Sequence, residues 1–156
     1  MIDGVILTPL KVIADERGSV RHMLKTTDPH FLAFGEVYFS TVKAGVVKAW
    51  HLHQRMTLNY ACVAGEVVVG LIDLRFGSPT FKQQEMCVLG TSGDAYQLLT
   101  IPPMIWNGFR IPEGSAFQEA MVANCATLPH DPKEISRIHP NDFPEPFDWG
   151  TYWTAG

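Results

Sequence analysis

Short apolar stretches alternate with polar positions along this chain, and turn-forming residues interrupt them too often for long helices. Glu36 to Val42 is rich in Val, Tyr, Phe and Thr, which predicts a strand. Residues 1–13 are predicted as an opening strand that ends at the turn Asp15-Glu16-Arg17-Gly18, with Val20 to Leu24 a short strand after it. Val46 to Tyr60 and Ala61 to Leu74 read as paired strands turning near Ala64-Gly65-Glu66. Within Val67 to Leu74 both alternate sets are apolar, so both faces of that strand are expected to be covered. Phe81 to Leu89, Tyr96 to Ile101, Trp106 to Ile111 and Ala116 to Cys125 complete the predicted strands.

Pro102-Pro103 cannot sit in a central ladder and marks a sheet edge or a loop rim. No stretch of a dozen residues carries a clean helical period. Asp131 to Ile138 is compatible with a short helix, with Asp131 as cap and Pro132 at its first position. From Leu128 onward the chain turns proline-rich and aromatic, the composition of an irregular arm wrapping a barrel. The expectation is one all-β domain over residues 1–156, a jelly-roll barrel with a C-terminal arm over 128–156.

Composition narrows the function classes. Apolar residues are 46% and charged residues 18%, the balance of a folded globule. A net charge of −4 gives no basic footprint for nucleic acid, yet leaves room for a locally positive cavity that takes an anionic small ligand. No run approaches the ~18 apolar residues of a membrane span, and the first residues lack the pattern of a signal peptide. Cys62, Cys87 and Cys125 are widely spaced in apolar company, as reduced core thiols would be. A cytoplasmic location with no nucleic-acid or membrane partner is expected.

His51 and His53 are one residue apart on a predicted strand, so both imidazoles leave on the same face. Gly45, His51, His53 and Gly65 are similar in spacing to the cupin signature G-x5-H-x-H-x4-E-x6-G. The glutamate of that signature falls at Leu58, and the histidine of the later cupin block falls at Asn107. Leucine is no ligand and asparagine a poor one, so neither a metal nor another cofactor is expected.

A wider resemblance runs through nearly the whole chain. Asp15-Glu16-Arg17-Gly18 resembles the D-x-R-G of the dTDP-4-dehydrorhamnose 3,5-epimerase family, and Lys48-Ala49-Trp50-His51 its R-G-L-H. Asp73 to Phe81 is similar to its D-x-R-x-G-S-P-T-F, Ile101 to Phe109 to its I-P-x-G-x-A-H-G-F, and Asn141-Asp142 with Asp148-Trp149 to its closing D-D-P…D-W. The resemblance implies a cupin-type fold and a 4-keto-6-deoxyhexose nucleotide substrate that loses a proton next to its ketone. It implies His51 as the base and Asp142 as the carboxylate orienting it. It also implies a homodimer whose N-terminal strand crosses to the partner.

The family's lysine falls near Leu58 and its tyrosine acid near Val122, so two of its parts are replaced. His53 and Tyr60 are then candidate donors, and Asn107 a candidate partner of the enolate oxygen. Lys48, Arg17 and Arg75 are candidate diphosphate contacts. Beside these stand plainer readings: Arg17 bracing its turn, Asp142 capping one, Asn107-Gly108 forming another, and the tryptophans as core. Two alternatives share the cavity. One is a nucleotide-sugar 3,4-ketoisomerase, whose R-G-x-H-x-H-K resembles Lys48 to Gln54; the other is a cupin that binds a sugar nucleotide without catalysis.

Overall fold

The computed structural model describes residues 1–152. The chain forms the strands β1 (Ile6–Pro9), β2 (Val12–Asp15), β3 (Gly18–Arg21), β4 (Glu36–Lys43), β5 (Val47–His53) and β6 (Leu58–Ala64). It continues with β7 (Val67–Asp73), β8 (Gln84–Leu89), β9 (Gln97–Ile101), β10 (Ile105–Arg110), β11 (Glu119–Ala126) and β12 (Ile135–Arg137). Two five-stranded antiparallel sheets, β1-β9-β6-β11-β4 and β12-β5-β10-β7-β8, make the barrel, and β2-β3 is a separate hairpin. No helix among the described residues is long and apolar enough to cross a membrane.

The two long strands expected over Val46–Tyr60 and Ala61–Leu74 are instead three, β5, β6 and β7, and the pairing expected between them is not formed. β5 and β7 lie in one sheet, β6 in the other, and the chain changes sheet at each turn between them. Alternation tells which faces are buried but not which strand is the neighbour, so the local pattern suited either arrangement. The inner faces of both sheets meet in one core that includes Leu71, Leu99, Ile101 and Val122. The outer face of β7 is covered as well. Gly70 sits so close to Trp149 and Phe147 that a Cβ there would meet them at 2.5 and 2.7 Å.

That cover is the C-terminal arm. Phe143 stacks on Trp50 at 4.7 Å between centroids, Phe147 meets it edge-on at 4.9 Å, and Trp149 lies at 5.2 Å. Buried Arg110 donates to the Trp149 carbonyl and holds the end of the arm down. The short helix expected over Asp131 to Ile138 is absent. Asp131 does cap one turn, accepting from the Lys133 amide at 3.0 Å. The chain then extends as β12 to pair with β5, because strand pairing offers Ile135–Arg137 more backbone bonds than a one-turn helix would.

β1 pairs with β9 of its own chain, and the hairpin β2-β3 stands exposed. The three cysteines are unpaired, and burial raises the thiols of Cys62 and Cys87 to about 11.

The stretch Asp73 to Thr80 is a structural knot. The fully buried Asp73 carboxylate accepts from Arg75 Nε at 2.9 Å and from the Ser78 and Thr80 hydroxyls at 2.6 Å each. Burial alone would raise its pKa, but the bonds from Arg75, Ser78 and Thr80 hold it well below the usual carboxylate range. Arg75 Nη2 also donates to the Asp3 carbonyl at 2.7 Å, and Thr80 accepts from the Asp3 amide at 3.0 Å, so the knot pins the N-terminus. Asp73→Asn is expected to lower stability by about 2–3 kcal/mol, since it removes charge-assisted bonds from a buried site. Urea unfolding at neutral pH measures it, and a loss below ~0.5 kcal/mol would contradict the knot's role.

Candidate functional site

A cavity of about 780 Å³ opens between the two sheets. β5 is two-faced at this point. Trp50 points into the aromatic arm while His51 and His53 reach the cavity, their ring centroids 6.1 Å apart. Tyr60 of β6, Tyr38 of β4 and Arg137 of β12 line the same space. Its volume falls in the range of small-molecule sites.

The two histidines differ in company. His51 Nε2 lies 3.2 Å from the Tyr60 hydroxyl, which donates to Asn107 Oδ1 at 3.3 Å. Burial, then the nearby His53, Arg137 and Lys48, depress the His51 pKa from 6.5 to about 3. His51 is thus a neutral imidazole at physiological pH. His53 is backed by a carboxylate: its Nδ1 is 2.7 Å from Glu134 Oε2. The other Glu134 oxygen accepts from the Arg55 and Met56 amides at 2.8 and 2.6 Å. Burial would raise the Glu134 pKa, but the bonds from His53, Arg55 and Met56 lower it, so the carboxylate is charged.

Several expected site residues fall elsewhere. Asp142 is exposed at the end of a single 3-10 turn, and the hydrogen bond of the His51 ring goes to Tyr60, so the expected His51–Asp142 pair is not formed. The carboxylate that the arm supplies to an imidazole is Glu134, on His53. Asn107 is buried and spends its amide on the His51 and Ile105 carbonyls, both at 3.2 Å, which leaves it a strut rather than an enolate donor. Neither is Asn107-Gly108 a turn. It lies at a bulge of β10, where a Cβ on Gly108 would meet Ala49 Cβ at 2.3 Å.

Arg75 is consumed by Asp73, and exposed Arg17 folds onto Asp15 with Nη2 2.6 Å from Oδ2, outside the cavity lining. Lys48 does line the cavity. Its Nζ donates to Ser40 Oγ at 2.6 Å and to the Thr41 carbonyl at 3.0 Å, and burial lowers its pKa.

Glu134, Tyr38 and Arg137 escaped the sequence reading. The Tyr38 hydroxyl accepts from Asn124 at 2.9 Å, which leaves its own proton to offer. It stands one strand away from Val122, where the resemblance placed the missing tyrosine. Arg137 lies opposite His51 in the β12-β5 register and, among the described residues, makes no hydrogen bond or ion pair. Strand alternation singles out Tyr38 as inward-facing, but nothing local marks Glu134. Among the described residues no three His, Cys, Asp or Glu side chains converge as a metal site would require.

The buried neutral His51 makes a thermodynamic prediction. Its folded pKa lies below its unfolded value, so protonation favours the unfolded chain. The stability it contributes is whole above about 6.5 and is lost as pH falls toward about 3. His51→Asn is expected to flatten the fall of the melting temperature between pH 7 and 4. Identical slopes for the two proteins would contradict a buried neutral imidazole.

A sequence profile described as dTDP-4-dehydrorhamnose 3,5-epimerase matches residues 1–155. The "Probable low-salt glycan biosynthesis epimerase Agl13" of Haloferax volcanii is 32% identical over 111 residues, 70% of each chain. The spore coat polysaccharide biosynthesis protein SpsL of Bacillus subtilis is 28% identical over 151 residues, 97% of this chain and 98% of that one. Among solved structures, a dTDP sugar isomerase of Desulfovibrio desulfuricans G20 superposes with a TM-score of 0.82 at 40% identity, covering 88% of this chain and 85% of the other.

Proposed function

The chain belongs to the dTDP-4-dehydrorhamnose 3,5-epimerase family, a family of nucleotide-sugar epimerases, and on that premise we propose that it acts on a 4-keto-6-deoxyhexose nucleotide by moving a proton on a carbon next to the ketone. The observation that carries this reading is the histidine pair of β5, which shares one cavity with Tyr38 and Tyr60 and has His139, Lys48 and Arg137 in the surrounding wall. A carbon acid beside a ketone needs a base in reach and a donor at the developing enolate oxygen. His51 and His53 supply nitrogen for both. Arg137 and Lys48 place positive charge where a diphosphate would lie, and the guanidinium suits a bidentate contact.

Inversion also needs a proton from the opposite face. Tyr38 enters from β4, in the sheet across from β5, and its hydroxyl is the group we assign to that delivery. The 3,4-ketoisomerase reading keeps one supporting observation, that both imidazoles leave the same face of β5. A proton lifted and returned on one face moves a ketone without inverting a centre.

Incubation with a dTDP-linked 4-keto-6-deoxyhexose in deuterated water, followed by NMR, tests the reading. Label at C3 or C5 with the C4 ketone retained is expected. A relocated ketone would establish the isomerase, and tight binding without label a non-catalytic cupin. Tyr38→Phe is expected to keep exchange within ~3-fold while losing inverted product by at least ~100-fold, the usual scale of a general acid. Equal loss of both would remove Tyr38 from that role.

We also propose a homodimer, with the second copy covering the exposed apolar Val37 and Phe39 of β4 and the neighbouring Leu32 and Phe34. Sedimentation equilibrium is expected to give a dimer for the natural chain and a monomer for Phe39→Asp. A natural chain that sediments as a monomer would overturn this.

A further inference from the structure

We infer that His53, held by Glu134, is the base that removes the proton, and that neutral His51 is the donor that meets the ketone oxygen. This deepens the proposed function and rests on it for the substrate. The assignment moves to His53 the base role that the resemblance gave to His51.

The geometry separates them. A base needs a ring nitrogen with a free lone pair, a fixed tautomer and a partner for the positive charge it acquires. Nδ1 of His53 is engaged by Glu134 at 2.7 Å, which leaves Nε2 toward the cavity that His53 lines. The Glu134 carboxylate cannot swing away. One oxygen takes two backbone amides, and its own carbonyl accepts from the Gln54 amide at 2.9 Å. His53 and Glu134 are 5% and 3% exposed, so their charges meet with little solvent between them.

His51 has none of this. Its bonded neighbour is a hydroxyl, no carboxylate is bonded to the ring, and Lys48 and Arg137 oppose a proton on it. The surroundings that make a poor base make a good neutral donor, because an uncharged imidazole can give a hydrogen bond to a developing oxyanion. Tyr60 and Asn107 continue the chain and hold the donor in place.

The step balances. The C–H bond next to the ketone breaks, its proton goes to His53 Nε2, and its electron pair becomes the enolate double bond. The carbonyl π pair moves to oxygen, which accepts from the one N–H of neutral His51 as that N–H turns from the Tyr60 oxygen. The imidazolium rests beside the Glu134 carboxylate until it returns the proton or exchanges it with water.

The plainer reading is that Glu134 only latches the arm to the turn after β5. His53→Asn separates the two, because the asparagine amide can keep the bond to Glu134 while Nε2 is lost. Exchange of the substrate proton in deuterated water is expected to fall at least ~1000-fold in folded His53→Asn. It is expected to fall only ~10- to 100-fold in His51→Asn, the scale of losing one donor to an oxyanion. Glu134→Gln is expected to lower kcat by ~100-fold with KM within ~2-fold, and Glu134→Asp to recover part of kcat.

Exchange in folded His53→Asn within ~10-fold of the natural protein would overturn the assignment while leaving the proposed function intact. So would a Glu134→Gln protein whose kcat per folded molecule is unchanged. A natural protein that binds the sugar nucleotide and never exchanges its proton would overturn the proposed function itself, and this assignment with it.

Discussion

One buried carboxylate organises the site. Glu134 gathers an imidazole from β5 and two amides from the turn that follows it, so the only way to satisfy that charge is to bring the C-terminal segment against β5. Each bond to a charged group is worth about 1.5–3 kcal/mol net, while an unpaired buried charge costs more than any one of them returns. The segment therefore closes in one place. β12 falls beside β5, Arg137 lands opposite His51, and the cavity acquires a second charged wall.

β5 works because its two faces answer to different solvents. Trp50 and Leu52 are buried on one side, and the histidines face the hollow on the other. The arm completes the outer side with Phe143, Phe147 and Trp149 stacked about Trp50. Stripping an aromatic from such a cluster costs about 3–5 kcal/mol, enough to keep the strand still while chemistry proceeds behind it. Gly70 and Gly108 serve the same end by letting the arm and β5 approach where any side chain would collide.

The motif that most strongly suggests kinship does no chemistry in this reading. Asp73, Arg75, Ser78 and Thr80 close on one another and on the N-terminus, outside the cavity. A guanidinium already holding a buried carboxylate is no longer available to a phosphate. The cations left in the cavity wall are Lys48, which the resemblance suggested as an anion contact, and Arg137, which it did not. Tyr38 stands in similar relation to the tyrosine the family would have at Val122, one strand over in the same sheet.

Alternation along the chain determined the strands, the all-β class, the shared face of His51 and His53 and the aromatic character of the arm, because each of these is set by neighbours in sequence. Local spacing did not reach the rest. His53 and Glu134 are 81 residues apart, and their meeting depends on which sheet each strand joins. Asp142 looked like the orienting carboxylate because it lies in a matching motif, yet the turn that holds it leaves it in water. Asp131 to Ile138 carried the marks of a helix start and became a strand, because the open edge of β5 offered more hydrogen bonds than a single turn. Pairing between distant strands is a competition among edges, and only the assembled barrel says which edge wins.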